Sequence, residues 1–413
     1  MDFNLRNFII ITTITIVSFY WIRKIHPIEK RTYYLFIVLF FYLICGVTGY
    51  LFNTKYYVQY YSIYTIILGL TFYITRNVTI KLSFLKKKTF KSFALDNSSN
   101  FIKIFLLIQF LSLLYPENKL SNLFVLSSPD VQTALDKSLD HSIWDSVIYL
   151  SSIFFYIGLS KYIQHPKKII GLLILSSWLS YAGNSYLSRG AILRVLVVIF
   201  LLYYFKYPKK RKILIFSASI CSIFLVSFFV SYMYMRMGNG FEMIDLSLAI
   251  DKIIEIELSF SKTFDDVLRY NNDDTLIYIW WFFSLPLPGF MKFGTADIAI
   301  NEAYNRDILG VEAGDENFFI TLPGLVIEGV YICGSEFFFI HAILFAIVCN
   351  LIFNIFRESK LFYVLSIYYI INIPFGAIRA GTQGLYPYTN KLIPIAILII
   401  YLWYKIKLRY DKE

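Results

Sequence analysis

The chain is predicted to be an all-α polytopic membrane protein with about eleven transmembrane helices and one large outer loop. Three observations carry this. Hydrophobic residues make up 57% of the 413 and charged residues only 16%, with a mean hydropathy of +0.59, whereas a soluble domain of this size needs more polar surface. Apolar runs near bilayer length, about 20 residues, recur along the chain. Lys and Arg collect in short clusters in every second interval between those runs, as the positive-inside rule requires.

The expected spans are Asn7–Ile22, Tyr33–Phe52, Tyr57–Thr75, Phe101–Tyr115, Ile143–Ile163, Ile169–Leu187, Ala191–Phe205, Ile213–Met235, Leu325–Phe356, Leu361–Phe375 and Leu385–Tyr404. The first has no basic start and no small-residue cleavage site, so it reads as a retained span and not a signal peptide. The ninth is too long for one straight crossing, and its first part reads as a separate dipping or tilted segment. The chain thus divides into an N-terminal bundle of about eight spans (1–235), a large outer loop (236–321) and a C-terminal bundle of about three spans (322–413).

Loop charge orients the bundle. The basic intervals are Arg23–Arg31, Arg76–Lys91, Lys161–Lys168, Lys206–Lys212, Arg357–Lys360 and Lys405–Glu413, with roughly two dozen Lys and Arg against a handful of acids. This places the amino terminus outside and the carboxyl terminus in the cytoplasm of a bacterial inner membrane. The net charge of +11 is therefore not a nucleic-acid footprint, because the cations form no continuous polar face. They suit the anionic inner leaflet instead.

The outer intervals differ. Pro116–Ser142 carries Glu117, Asp130, Asp136 and Asp140, and Arg236–Thr321 is a long, acid-rich loop of about 85 residues. A loop of that length should hold structure and function. Leu246, Ala249, Ile250, Ile253 and Phe260 recur at helical spacing with Asp251 and Glu255 opposite, predicting an amphipathic helix over the bundle. Leu276–Phe290, broken by Pro286 and Pro288, reads as interfacial or re-entrant.

Ionisable groups at membrane depth are costly, so they mark candidate sites. Arg189 stands in the turn Ser188-Arg189-Gly190, with Arg194 about one helical turn beyond. Arg379 lies in Gly376-Ala377-Ile378-Arg379-Ala380-Gly381, and Arg236 closes the eighth span. All four are predicted near the outer face. A guanidinium grips phosphate oxygens bidentately and keeps its charge, so the group predicts a lipid-linked diphosphate. The competing reading is that each arginine snorkels to the interface or pairs with an acid such as Glu328.

A second cluster is Gly314-Asp315-Glu316-Asn317-Phe318-Phe319, followed by Thr321-Leu322-Pro323-Gly324 and Glu328-Gly329. A carboxylate at the mouth of a span could act as general base on a sugar hydroxyl. The alternative is a solvated loop end, with Glu328 paired to an arginine. Asp265-Asp266 and Asp273-Asp274 read as solvated acids without a third metal ligand. His26, His141, His165 and His341 form no ligand motif, and a structural role is expected for each. The four cysteines, Cys45, Cys221, Cys333 and Cys349, imply no disulfide framework. No phosphate-binding glycine loop for a nucleotide occurs.

These residues together resemble the Wzy-type O-antigen and oligosaccharide-repeat-unit polymerases and the related O-antigen ligases. The resemblance rests on the Ser188-Arg189-Gly190 turn, one large outer loop in the second half, the late Arg379, and the run from Glu316-Asn317-Phe318-Phe319-Ile320 through Pro323-Gly324, Glu328-Gly329 and Gly334. It implies a GT-C-like fold and a membrane glycosyltransferase. Such enzymes move the growing glycan from undecaprenyl diphosphate to a new lipid-linked repeat unit on the outer face. They need no nucleotide sugar, no metal and no other cofactor.

By the same resemblance Arg189 and Arg379 would hold the diphosphate, with Arg236 and Arg194 beside them and Asn317 and Glu328 as further substrate contacts. The ligases carry a histidine before the asparagine at the loop exit, whereas here Glu316 precedes Asn317. This favours a polymerase and makes Glu316 the base, with Asp315 as its substitute. The spaced Arg–Gly loop motif of some polymerases is absent. Implied partners are the lipid-linked oligosaccharide, membrane lipid, a chain-length regulator and a flippase. The alternatives are a ligase and a non-enzymatic lipid-linked oligosaccharide flippase, the latter expected to show more spans, short loops and related halves.

Overall fold

The computed structural model of the chain describes residues 5–47, 56–79, 82–112, 143–184, 189–236, 263–270, 300–311, 324–357, 360–379, 381–382, 385 and 387–410. The described residues fold into helices and turns, with no strand among them. In order, the helices are α1 (Leu5–Arg23), α2 (Ile28–Phe41), α3 (Tyr57–Ile74), α4 (Lys88–Asp96) and α5 (Ser98–Ser112). Next come α6 (Ile143–Leu159), α7 (Pro166–Asn184), α8 (Arg189–Lys206) and α9 (Arg211–Arg236). Then follow α10 (Phe264–Arg269), α11 (Ile300–Tyr304), α12 (Gly324–Arg357), α13 (Tyr363–Asn372) and α14 (Ile393–Tyr410). The expected amphipathic helix Leu246–Phe260, the apolar segment Leu276–Phe290 and the interval Pro116–Ser142 lie outside the described residues.

Eleven crossing helices are not what folds, and the expected eleven-span, GT-C-like architecture is overturned. Two helices among the described residues are long and apolar enough to cross a membrane: α1, of mean hydropathy 1.5, and α12, of mean hydropathy 2.3. The regular α-helical stretches within the apolar runs are short. The run Tyr33–Phe52 yields a 14-residue α2 that passes into a π turn, Tyr42–Gly46. Leu361–Phe375 divides into a 3-10 turn, the ten-residue α13 and another π turn, Ile373–Ile378. A helix the length of α5, 15 residues, rises roughly 22 Å, short of the ~30 Å hydrocarbon layer.

Other helices are long enough but too polar. α3 spends five of its 18 residues on tyrosine. α8 carries Arg189, Arg194 and Lys206, and α14 carries Lys405, Lys407 and Arg409. What stands is coarser: two apolar helices point to membrane association. The outward side of α1 suits that setting, since Leu5, Ile9, Ile16 and Tyr20 are all more than half exposed, where a water-facing helix would carry polar groups.

The contacts divide the chain into two compact units. The first comprises 1–81, 254–355 and 372–394, and the second 82–253, 356–371 and 395–413. In the first, α1 packs along α3. Ser18 donates from its hydroxyl to the Thr65 carbonyl at 2.9 Å, and the Thr15 and Tyr61 hydroxyls meet at 3.0 Å. The approach is that close because Gly69 faces Ser18, and a Cβ at Gly69 would lie 2.9 Å from the serine side chain. Small residues and interhelical hydrogen bonds are the usual means of association where no water drives it. Tyr34 of α2 stacks on Phe72, and Phe41 stacks on Tyr61 and Tyr64.

A buried cation closes one end of this unit. Lys30, 2% exposed, donates to Asn354 Oδ1 at 2.8 Å and to the Arg76 carbonyl. Asn354 in turn donates to the carbonyls of Arg76 and Val78. Lys30 thus sits at the C-terminal end of α3, where the carbonyl-rich helix end favours positive charge.

In the second unit α5 pairs with α6 through Phe105 stacked on Phe155 at 4.4 Å. Gly158 permits the contact, because a Cβ there would stand 2.8 Å from the Ser98 carbonyl oxygen. Tyr156 stacks on Tyr368 of α13 at 3.9 Å. α4 is amphipathic, burying Phe90, Phe93 and Ala94, and Phe90 and Phe93 pack on Tyr404 of α14.

Candidate functional site

The long helix α12 does not run straight. At Gly334 the backbone takes φ 77° and ψ 167°, a region open almost only to glycine, and there the chain doubles back. A Cβ on Gly329 would lie 3.3 Å from the His341 Cβ. Twelve residues of unbroken helix would hold these positions about 18 Å apart. The short arm 324–333 therefore lies against the long arm 335–357. The long arm still rises roughly 34 Å, enough to cross a bilayer.

The reversal brings Glu328, fully buried on the short arm, to face His341 on the long arm. Glu328 Oε2 is 3.8 Å from His341 Nε2, and that nitrogen makes no hydrogen bond. On its far side the imidazole meets the Tyr64 hydroxyl, 2.8 Å from Nδ1. When Tyr64 donates, the imidazole proton sits on Nε2 and points at the carboxylate. Tyr64, His341 and Glu328 then form a chain along which a proton could pass after a small closure.

The carboxylate has a second anchor 54 residues away. The Thr382 backbone N–H donates to Glu328 Oε2 at 2.6 Å, and the Thr382 hydroxyl donates to Oε1. Gly381 makes room: it adopts φ 79°, and any Cβ there would strike the carboxylate. Just upstream, the π turn Ile373–Ile378 is capped by Arg379, and the Gly381 N–H returns to the Ala377 carbonyl at 2.8 Å. The half-buried Arg379 is therefore carried on a loop that Glu328 holds in place.

Two pieces of the 236–321 segment pack onto the short arm. Asp307 accepts hydrogen bonds from Tyr331 at 2.6 Å and Tyr270 at 3.0 Å, and Arg306 Nε reaches its other oxygen at 2.8 Å. Burial pushes the Asp307 carboxyl up, but these three hydrogen bonds and the Arg306 charge outweigh it and leave it below the usual carboxylate value. Phe264 of α10 meets Tyr57 and Tyr60 of α3 edge-on. Tyr304 shares a 2.5 Å hydrogen bond with Thr263, and burial raises its phenol.

Of the residues marked in the sequence, the structure joins Glu328 to the loop of Arg379, through Thr382. Among the described residues, the partners of Glu328 are Thr382 and His341, with no arginine. Arg189 opens α8 and Arg194 lies in its second turn, while Arg236 ends α9. All three belong to the second unit and Arg379 to the first. Asp315, Glu316 and Asn317 lie outside the described residues. His341, Tyr64 and Thr382 were missed. The sequence predicts only a structural role for His341, and the glycine in mid-run, Gly334, is the signal that it could meet Glu328.

Among the described residues no three His, Cys, Asp or Glu side chains converge to hold a metal ion. Comparison with known proteins finds no match: no family model, no curated protein and no solved structure is similar to this chain.

Proposed function

We propose that the chain is a membrane glycosyltransferase that polymerises lipid-linked oligosaccharide repeat units of O-antigen or a related surface polysaccharide. It transfers the growing glycan from undecaprenyl diphosphate to a new lipid-linked unit at the outer face of a bacterial inner membrane. In this reading the protein is multi-pass, with its amino terminus outside and its carboxyl terminus in the cytoplasm. Arg379 neutralises the departing diphosphate, a role the resemblance gives to Arg189 as well, and Glu316 or Asp315 takes the proton of the attacking sugar hydroxyl. No nucleotide sugar or metal takes part, and a chain-length regulator and a flippase are the partners such a reaction would use.

The observation that carries the reading is the double hydrogen bond between Glu328 and Thr382. It ties the run after the outer loop to the loop of Arg379, two of the segments on which the resemblance to Wzy-type polymerases rests. A permanent cation on a braced loop suits an anionic leaving group.

A second reading, a flippase for the same lipid-linked oligosaccharide, draws on the pair Glu328 and His341. Ionisable groups inside an apolar helix often mark proton relays. Purified protein incubated with lipid-linked repeats, without metal or nucleotide, separates the two. A ladder of longer lipid-linked glycans supports the polymerase. Unchanged single repeats, from protein that moves the substrate across vesicle membranes, would replace it with the flippase.

A further inference from the structure

Away from the Glu328 site, the second unit holds an open pocket of about 380 Å³, largely apolar in its lining but with two lysines at its wall. Its walls come from both ends of that unit's sequence: Lys88, Thr89, Ser92 and Asp96 from α4, and Tyr404, Lys407 and Leu408 from the last turns of α14, with Phe93 at its base. The wall is braced, since the Thr89 and Tyr404 hydroxyls meet at 2.7 Å and Phe93 packs against both Trp403 and Tyr404. The two ammonium groups are not neutralised. Neither Lys88 nor Lys407 has a carboxylate within ion-pairing distance among the described residues. The one lining acid, Asp96, is turned toward Ser92, whose hydroxyl lies 3.4 Å from it.

We propose that this pocket binds a phosphate ester, with an anionic phospholipid headgroup as its source. Two cations, together with the one hydroxyl of the Thr89–Tyr404 pair that does not donate within it, suit phosphate oxygens in a space of this size. The position on α14 favours a lipid. Leu398, Leu402 and Ile406, one helical face, are each more than half exposed. Beside them the basic residues Lys405, Lys407 and Arg409 occupy the last turns. An apolar outer face that ends in cations is how a helix meets the headgroup layer. That preference for a lipid rests on the membrane reading, whereas the affinity for phosphate esters does not. The site is also independent of the polymerase reading, because it involves neither Glu328 nor the arginines.

The test is calorimetric titration of the full-length protein in neutral detergent with three probes: dihexanoyl phosphatidylglycerol, dihexanoyl phosphatidylcholine and inorganic phosphate. Phosphatidylglycerol should bind saturably and weaken with added salt, and phosphatidylcholine should bind far less tightly. Lys88→Gln and Lys407→Gln should each lower the affinity about fivefold, the effect of one cation near a membrane surface. Asp96→Asn, which removes the one lining carboxylate among the described residues, should tighten binding several-fold, an outcome that misfolding cannot mimic. If inorganic phosphate binds as tightly as the lipid, the lipid source is overturned and the phosphate site stands. If phosphatidylglycerol fails to bind, or the three substitutions leave its affinity unchanged, the proposal is overturned.

Discussion

Thr382 donates twice to Glu328, once from its backbone amide at 2.6 Å and once from its hydroxyl. The two residues are 54 positions apart, yet this contact sets where the loop of Arg379 ends. Replacing Glu328 with alanine leaves both donors buried and unpaired, at a cost of about 1–3 kcal/mol for each group orphaned. Glu328→Gln keeps one acceptor oxygen and should cost less. Thermal unfolding of the detergent-purified variants should therefore rank wild type above Gln and Gln above Ala. Equal melting of Ala and wild type would mean that the clamp contributes nothing.

The reversal at Gly334 makes its own prediction. Cysteines placed at Gly329 and His341, in a background with the four native cysteines replaced, should cross-link readily under mild oxidation. Their Cβ atoms would stand 3.3 Å apart, close to disulfide geometry. On an unbroken helix the same pair would never meet. The link is read as an intact polypeptide with lost thiol reactivity, and persistent free thiols would refute the doubled-back arm. Gly334→Ala should in addition lower stability by about 1–3 kcal/mol, since the φ it must hold is open almost only to glycine.

How far the residues announced this structure depends on the kind of contact. Helicity followed from long apolar runs, and the length of the ninth run already exceeded one crossing. The number of spans did not follow. Averaged hydropathy counts Tyr33–Phe52 as one element and does not register where the α-helix passes into the π turn Tyr42–Gly46, nor the tyrosines that make α3 polar. At the site, Glu328 stood out because a carboxylate in an apolar run is costly. Thr382 and His341 did not, because their meeting depends on a chain reversal and a 54-residue separation that leave no local pattern. Glycines were the signal that could have been used, since Gly334 and Gly381 both mark places where the backbone takes positive φ.

Acid should loosen residues 263–270 and 300–311 before the long helices. Asp307 titrates below its unfolded value, so its hydrogen bonds to Tyr270, Tyr331 and Arg306 stabilise the fold above about pH 4, the ordinary carboxylate range. The contribution fades as the pH falls through the depressed folded value. Limited proteolysis with an acid-active protease from pH 6 to pH 3 should show faster cleavage near residues 263–270 and 300–311 at the acid end. Asp307→Asn should be cleaved faster at pH 6 and show a flatter profile. An identical acid response in wild type and variant would remove Asp307 as the titrating tie.

The arginines decide whether the proposed chemistry is right. A diphosphate leaving group gains negative charge as the glycosidic bond breaks, and a guanidinium aimed at it lowers that barrier more than it tightens ground-state binding. Losing one such donor typically costs 10²–10³ in rate. Arg379→Ala and Arg189→Ala should therefore remain in the membrane fraction at normal abundance while long-chain glycan disappears. Arg379→Lys should recover only part of the activity, because an ammonium keeps the charge but not the paired geometry. If Glu316 is the base, Glu316→Gln should accumulate single lipid-linked repeats. Normal chain lengths on a gel for both alanine variants would take the leaving-group role away from these residues, and the polymerase reading would lose the contact on which its chemistry depends.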